Sequence, residues 1–151
     1  MYSMIMTNNE TELFSDLERT VCEPEAEKFQ HEVHRMMGLL RFSPNENGEF
    51  IACCEPDYFV LPALAEYFTA RFGETPWSII DKKRGLSLRR QPPEQAKIII
   101  CDKNSEFKTS DEWEELWKHY HSTINNEDRS NPDLQRQFMP KRYWKYLPEK
   151  Q

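Results

Sequence analysis

Apolar residues recur at helical spacing along the first part of the chain: Leu13, Leu17 and Val21, then Ala26, Phe29, Val33 and Met36 or Met37. Pro24 interrupts the series where a first helical turn would tolerate it, so the pattern predicts two helices or one broken one. Residues 1–12 show no period and read as a disordered leader, with one domain over residues 13–149. Gly38 ends the helical stretch. Leu39-Leu40-Arg41-Phe42 then reads as a strand, Ser43 to Gly48 as a turn and Glu49 to Cys54 as the returning strand, which makes a hairpin. After the breaker Glu55-Pro56-Asp57, Leu61, Leu64, Ala65, Phe68 and Phe72 line one helical face, with Pro62 near its start and Gly73 at its end. A second hairpin follows, residues 76–80 and 86–89 around the turn Asp81-Lys-Lys-Arg-Gly85, and Ile98 to Cys101 offers a fifth strand. Thr109-Ser-Asp-Glu112 matches a capping box ahead of an amphipathic helix carrying Trp113, Leu116, Trp117, Tyr120 and Ile124. Asn131-Pro132 opens a short helix with Leu134 and Phe138 facing inward, and Pro140 opens a last turn over residues 141–146. The order hairpin–helix–hairpin, with flanking N- and C-terminal helices, predicts an α+β domain. Its antiparallel sheet is built from two β-hairpins around a central helix.

Composition refines this picture. The chain has 151 residues, enough to bury a real core. Its apolar share is 38%, but aromatics reach 13%, and large rings fill a core that a simple count underestimates. The net charge of −6 excludes a uniformly basic nucleic-acid coat while leaving room for a local basic face. The four glycines (Gly38, Gly48, Gly73 and Gly85) lie too far apart for a phosphate-cradling loop. No apolar run approaches the roughly 20 residues of a membrane span and no signal peptide is visible, so a cytoplasmic protein without membrane partners is expected. Cys22, Cys53, Cys54 and Cys101 form no C-x-x-C pair, and adjacent cysteines in a strand point to opposite faces. They read as reduced, small apolar residues.

Charge is unevenly placed. Residues 1–40 carry eight acids and three bases. Two segments carry bases and no acid: residues 82–90 with Lys82, Lys83, Arg84, Arg89 and Arg90, and residues 136–146 with Arg136, Lys141, Arg142 and Lys145. The first reads as a basic hairpin tip able to sit against phosphates or to discourage edge pairing. The second interleaves Phe138, Tyr143, Trp144 and Tyr146, which suits charge for a backbone and flat rings for bases, or equally a helix pinned to the core. His31 and His34 lie one helical turn apart, but the cysteines fit no zinc spacing, so neither a metal nor a cofactor is expected. Glu55, Asp57 and Asp81 sit at strand ends, where carboxylates act as acid and base or as cap and turn residues.

Several stretches together resemble a known family: Glu32-Val-His-Arg-Met-Met-Gly38 through Arg41-Phe42, Glu55-Pro-Asp57, Val60-Leu-Pro, Tyr67-Phe-Thr-Ala-Arg-Phe72, Trp77-Ser-Ile-Ile-Asp81 with Arg84, Arg129-Ser-Asn-Pro-Asp-Leu-Gln135 and Met139-Pro-Lys-Arg-Tyr-Trp-Lys-Tyr-Leu-Pro-Glu149. This is similar to a bacterial domain-of-unknown-function family associated with DNA metabolism and DNA repair. The resemblance covers roughly residues 28–149. It implies company with a radical-SAM DNA-repair protein and, in other bacteria, fusion to a uracil-DNA glycosylase-like module. The matching positions include His34, Arg35, Arg41, Asp57, Arg71, Asp81, Arg84, Arg129, Asn131, Lys141, Arg142, Tyr143 and Trp144, and the resemblance assigns them no catalytic role.

Three functions follow as expectations. The first is a DNA-repair accessory protein that binds DNA and works with a radical-SAM or uracil-DNA glycosylase-like partner. Its candidate nucleic-acid-binding residues are Arg35, Arg41, Arg71, Lys82, Lys83, Arg84, Arg129, Lys141, Arg142, Tyr143 and Trp144. The second is an enzyme on nucleic acid or nucleotide using Asp57, Asp81 or His34 as acid–base groups, which requires one deep pocket holding them. The third is a protein-interaction module docking a basic partner on the acids of residues 111–115 or of the N-terminal segment.

Overall fold

The structure, a computed structural model, describes residues 23–102 and 112–150. The leader, the first helical segment with Cys22, and all but the last residue of the capping box lie outside these residues. Helix α1 (Glu23–Leu39) leads through a short β1 (Ser43–Pro44) to β2 (Phe50–Cys54). Helix α2 (Leu61–Phe72) then precedes β3 (Trp77–Asp81), β4 (Leu86–Arg90) and β5 (Lys97–Ile100). Helix α3 (Glu112–Ile124), helix α4 (Pro132–Phe138) and three 3-10 turns, Glu127–Arg129, Lys141–Tyr146 and Pro148–Lys150, complete the described chain. The result is a mixed α/β domain with one five-stranded sheet in the order β1-β2-β3-β4-β5.

The all-antiparallel expectation is corrected at the centre of the sheet. β2 and β3 pair in parallel, Phe50 opposite Trp77 and Cys54 opposite Asp81, while the other three pairings are antiparallel. The reason lies in the connection. A strand, a helix and a strand joined by more than a dozen residues form the crossover that parallel pairing needs. The two hairpins are therefore fused edge to edge through a βαβ unit. The first hairpin also sits further along the chain than residues 39–42 suggest. Leu40 still donates to the Met36 carbonyl at 3.1 Å, prolonging the helix, and Leu40 and Phe42 pack against the core. The turn is closed by Asn45, whose side chain accepts from the amides of Asn47 and Glu49, each at 2.9 Å. Gly48 occupies the left-handed position, φ 76°, that this turn requires.

β3 is buried along its whole length because it lies in the middle of the sheet with both faces covered. On the helix-facing side, Trp77, Ile79, Leu86, Leu88 and Ile98 meet Val33 and Met36 of α1 and Leu61, Leu64 and Phe68 of α2. Phe68 is the aromatic centre, with Phe42 at 5.0 Å and Trp77 at 6.1 Å between ring centroids. α2 starts after Val60 without a side-chain cap, has Pro62 in its first turn, and stops at Gly73, whose amide bonds the Thr69 carbonyl at 3.1 Å. Asn131 caps α4 through Leu134 N at 3.0 Å, as its sequence implies. Leu134 and Phe138, expected to face inward, are instead 49% and 63% exposed. With only two turns, α4 offers little surface to dock. No helix among the described residues is long and apolar enough to cross a membrane.

Candidate functional site

Parallel pairing sets the carboxyl ends of β2 and β3 side by side, where open sheets leave room for ligands. The loop Glu55-Pro56-Asp57 and the turn of residues 82–84 therefore emerge together, and Lys82 N bonds the Cys54 carbonyl at 3.0 Å to extend the ladder by one step. The 3-10 turn Lys141–Tyr146 packs beside β2 and closes a third wall. Between them lies an open hollow of about 560 Å³, lined by Glu55, Asp57, Lys83, Lys141, Arg142 and Lys145. A second hollow of about 350 Å³ adjoins it, lined by Lys28, His31, Glu32, Arg35, Asp57, Tyr58 and Arg142. Asp57 and Arg142 belong to both. Together the walls carry six cations against three carboxylates, within a chain of net −6.

Two buried carboxylates hold these walls in place. Glu32, on the core face of α1 and only 2% exposed, accepts from the backbone amides of Asp57 at 3.0 Å and Tyr58 at 2.7 Å. It also accepts from the Tyr143 hydroxyl and, at 3.3 Å, from Arg142. One side chain thus joins the first described helix, the β2–α2 loop and the C-terminal turn. Asp81, fully buried at the end of β3, accepts from the amides of Lys83 at 3.0 Å and Arg84 at 3.1 Å and from the Arg84 guanidinium at 2.8 Å. Arg84 then reaches the carbonyls of Pro56 at 3.0 Å and Asp57 at 2.6 Å, stapling the two loops together.

Above this frame the exposed charges pair in turn. Asp57 lies between Lys83 Nζ, at 3.4 Å, and Arg142 Nη1; Lys145 Nζ bonds Glu55. Aromatic rings underlie the cations, with Arg142 at 4.7 Å from the Tyr143 centroid and Lys145 at 5.0 Å from Tyr146. Lys141 and Lys150 lie over Trp144 at 5.8 Å and 5.0 Å, and the indole N–H bonds the Met139 carbonyl at 2.8 Å.

The sequence candidates fall into distinct places. Lys83, Lys141 and Arg142 meet at the first hollow and Arg35 lines the second, with its guanidinium 3.5 Å from the Gln137 carbonyl. Burial pushes the Cys53 thiol up, and the charge of nearby Lys82 only partly opposes this. Arg84 is a staple, Tyr143 is buried with its hydroxyl on Glu32, and Trp144 is half-buried. Arg41 stands apart, bonded to the Gly38 carbonyl and to Glu149, each at 2.8 Å. Arg71 is exposed on α2, 3.5 Å from the Tyr67 hydroxyl, and Arg129 is exposed beyond α3. The basic run 82–90 does not act as one tip. Residues 86–90 form β4, whose antiparallel register carries Arg89 and Arg90 to the far end, opposite Ser78 and Trp77. There Arg89 binds Glu49 through two nitrogens, at 2.9 Å and 3.1 Å, and Arg90 bonds the Gly73 carbonyl. Of the proposed acid–base groups, Asp57 lines both hollows, Asp81 is buried beneath them, and His34 lines neither. The residue that sequence reasoning missed as a site organiser is Glu32. Its signal was a carboxylate on the apolar stripe Phe29, Val33 and Met36, where a charge needs buried partners.

The surroundings shift several titrations. The Lys145 hydrogen bond holds the Glu55 carboxyl below its ordinary range, against slight burial. Burial opposes the charge on Glu149, but bonds from Arg41, its own amide and the Trp117 indole outweigh it and also lower that carboxyl. Burial, reinforced by Glu32 and Glu55, pushes the phenols of Tyr143 and Tyr146 upward. Lowered carboxyls add stability above their unfolded pKa near 4.5, and this is lost as pH falls through the folded values. Raised phenols add stability below about 10, lost as pH rises beyond it. Denaturant midpoints are therefore expected to hold steady between these limits and fall on either side. Tyr143→Phe is expected to make the alkaline limb shallower, with Tyr146 keeping its share, while leaving the acid limb in place, as measured by urea titration across pH.

No curated protein and no solved structure matches this chain. A family model described as a domain of unknown function, DUF4130, matches residues 3–149, nearly the full sequence, and the chain belongs to that family.

Proposed function

We propose that this protein is a DNA-repair or DNA-metabolism accessory protein that binds DNA at the two adjoining hollows. The observation that carries the reading is the convergence of Lys83, Lys141, Arg142 and Lys145, from segments far apart in sequence, around one concavity of an acidic chain. Cations grouped in this way neutralise phosphates and release counterions, which gives salt-dependent binding. Arg35 and Lys28 extend the track along α1. Arg84, Tyr143 and Trp144 serve the interface by positioning it. A radical-SAM or uracil-DNA glycosylase-like protein is the proposed partner, on the strength of the family resemblance.

Fluorescence anisotropy with single-stranded, duplex and uracil-containing DNA tests the reading. Lys83→Glu combined with Lys141→Glu is expected to weaken binding by roughly tenfold or more and to reduce the salt slope by about one for each phosphate no longer neutralised. Lys97→Glu, on the far edge strand, is expected to leave both unchanged. Arg84 is left intact in this test, because its removal would strand the buried Asp81. Equal affinity and slope in the double variant would remove the hollow from the interface. Recovery of a bound partner that survives nuclease treatment would favour the protein-interaction reading instead.

A further inference from the structure

Three of the four cations of the larger hollow, Lys83, Arg142 and Lys145, are paired with carboxylates of the same chain. Asp57 lies between Lys83, at 3.4 Å, and Arg142, and Glu55 binds Lys145. These ion pairs are exposed, with about half of each cationic side chain open to solvent, so an incoming anion can exchange with them. The walls beneath are fixed. Arg84 ties the loop carbonyls to buried Asp81, and Glu32 ties the loop amides to Tyr143. The hollow is a preformed anion seat whose occupant in the free protein is the carboxylate of Asp57.

Charge then decides what displaces it. An internucleotide phosphodiester carries one negative charge, so it exchanges like for like with Asp57. A terminal phosphomonoester carries close to two charges at neutral pH and offers three acceptor oxygens. It engages several of the cations at once and outcompetes a carboxylate. The hollow is also walled by two loops and a turn, which suits a protruding end group better than a backbone running through.

We propose that this hollow seats the terminal phosphate of a DNA strand, held by Lys83, Lys141, Arg142 and Lys145, with Asp57 as a built-in competitor. The inference rests on the DNA-binding reading above. It is tested by anisotropy with one labelled single-stranded oligonucleotide bearing a 5′-hydroxyl, a 5′-phosphate or a 3′-phosphate, and with inorganic phosphate as competitor. One of the two phosphorylated forms is expected to bind about tenfold tighter than the hydroxyl form at pH 7.5. That preference is expected to shrink at pH 5.5, below the second phosphate pKa near 6. Inorganic phosphate is expected to displace the phosphorylated form preferentially. Asp57→Asn is expected to tighten binding of the hydroxyl form and narrow the preference. Should that variant fail to fold, Lys141→Ala is expected to lose most of the preference without disturbing the ion pairs of Asp57 and Glu55. Equal, salt-sensitive binding of all three oligonucleotides would overturn the terminal-phosphate seat and leave the DNA reading standing. Absence of binding to any of them at low salt would overturn both.

Discussion

Replacing Glu32 with alanine is expected to lower the unfolding free energy by about 3–5 kcal/mol, the range for breaking a buried charged network from one side. The side chain is almost fully buried and accepts from two backbone amides, a phenol and a guanidinium. Alanine leaves the Asp57 and Tyr58 amides and the Tyr143 hydroxyl without an acceptor in a place where water replaces it poorly. Glu32→Gln is expected to cost less, roughly 1–3 kcal/mol, because one oxygen survives. The cost persists because Oε1 serves Asp57, Arg142 and Tyr143 while Oε2 serves Tyr58, so an amide must turn its N–H₂ toward one donor set. Thermal unfolding should register the alanine variant as a fall of about 6–20 °C, since each kcal/mol moves a domain of this size by about 2–4 °C. A fall of less than about 2 °C, under 1 kcal/mol on that scale, would mean that Glu32 holds nothing together.

Asp81→Ala is the second large expectation, again about 3–5 kcal/mol. Asp81 closes the β3–β4 turn by accepting the Lys83 and Arg84 amides, and it is the buried partner of the Arg84 guanidinium. Without it, Arg84 keeps its two loop carbonyls but loses its counter-charge, and the turn loses its Asx bonds. Asp81→Asn is expected to retain the turn and lose chiefly the ion pair, so its denaturant midpoint should fall between wild type and alanine. An asparagine variant as unstable as alanine would place the whole effect in the charge. An alanine variant near wild type would remove Asp81 from the support of the site. Both carboxylates support the walls of the hollows, so on the proposed DNA-binding function the affinity of the folded fraction should drop along with stability.

The two predictions turn on residues of unequal legibility. Asp81 stands out in sequence as a turn residue before Lys-Lys-Arg-Gly, and it is one. Glu32 is less legible: its place on the apolar stripe of Phe29, Val33 and Met36 points to burial, but nothing near it in sequence names its partners. Lys83, Lys141 and Arg142 belong to acid-free runs, and they do meet. Arg89 and Arg90 come from the same kind of run and are elsewhere, because a strand rises about 3.3 Å per residue and carries its end away from its turn. Lys145, in the same acid-free run as Lys141 and Arg142, lines the hollow with them.

The local elements are legible in the chain itself: the α2 stripe ending at Gly73, the second hairpin around residues 81–85, the Asn131 cap, the amphipathic helix after residue 111. These depend on periodicity, caps and turn chemistry, all of which act within a few residues. Tertiary structure decided the parallel β2–β3 junction, the burial of Glu32 and Asp81, the exposure of Leu134 and Phe138, and which cations share a hollow. The burial of Glu32 shows the reach required: its partners Asp57 and Tyr143 stand 25 and 111 positions away along the chain. Hydrophobic burial sets which faces meet, and a charge or an end of strand is then carried wherever the packed backbone places it.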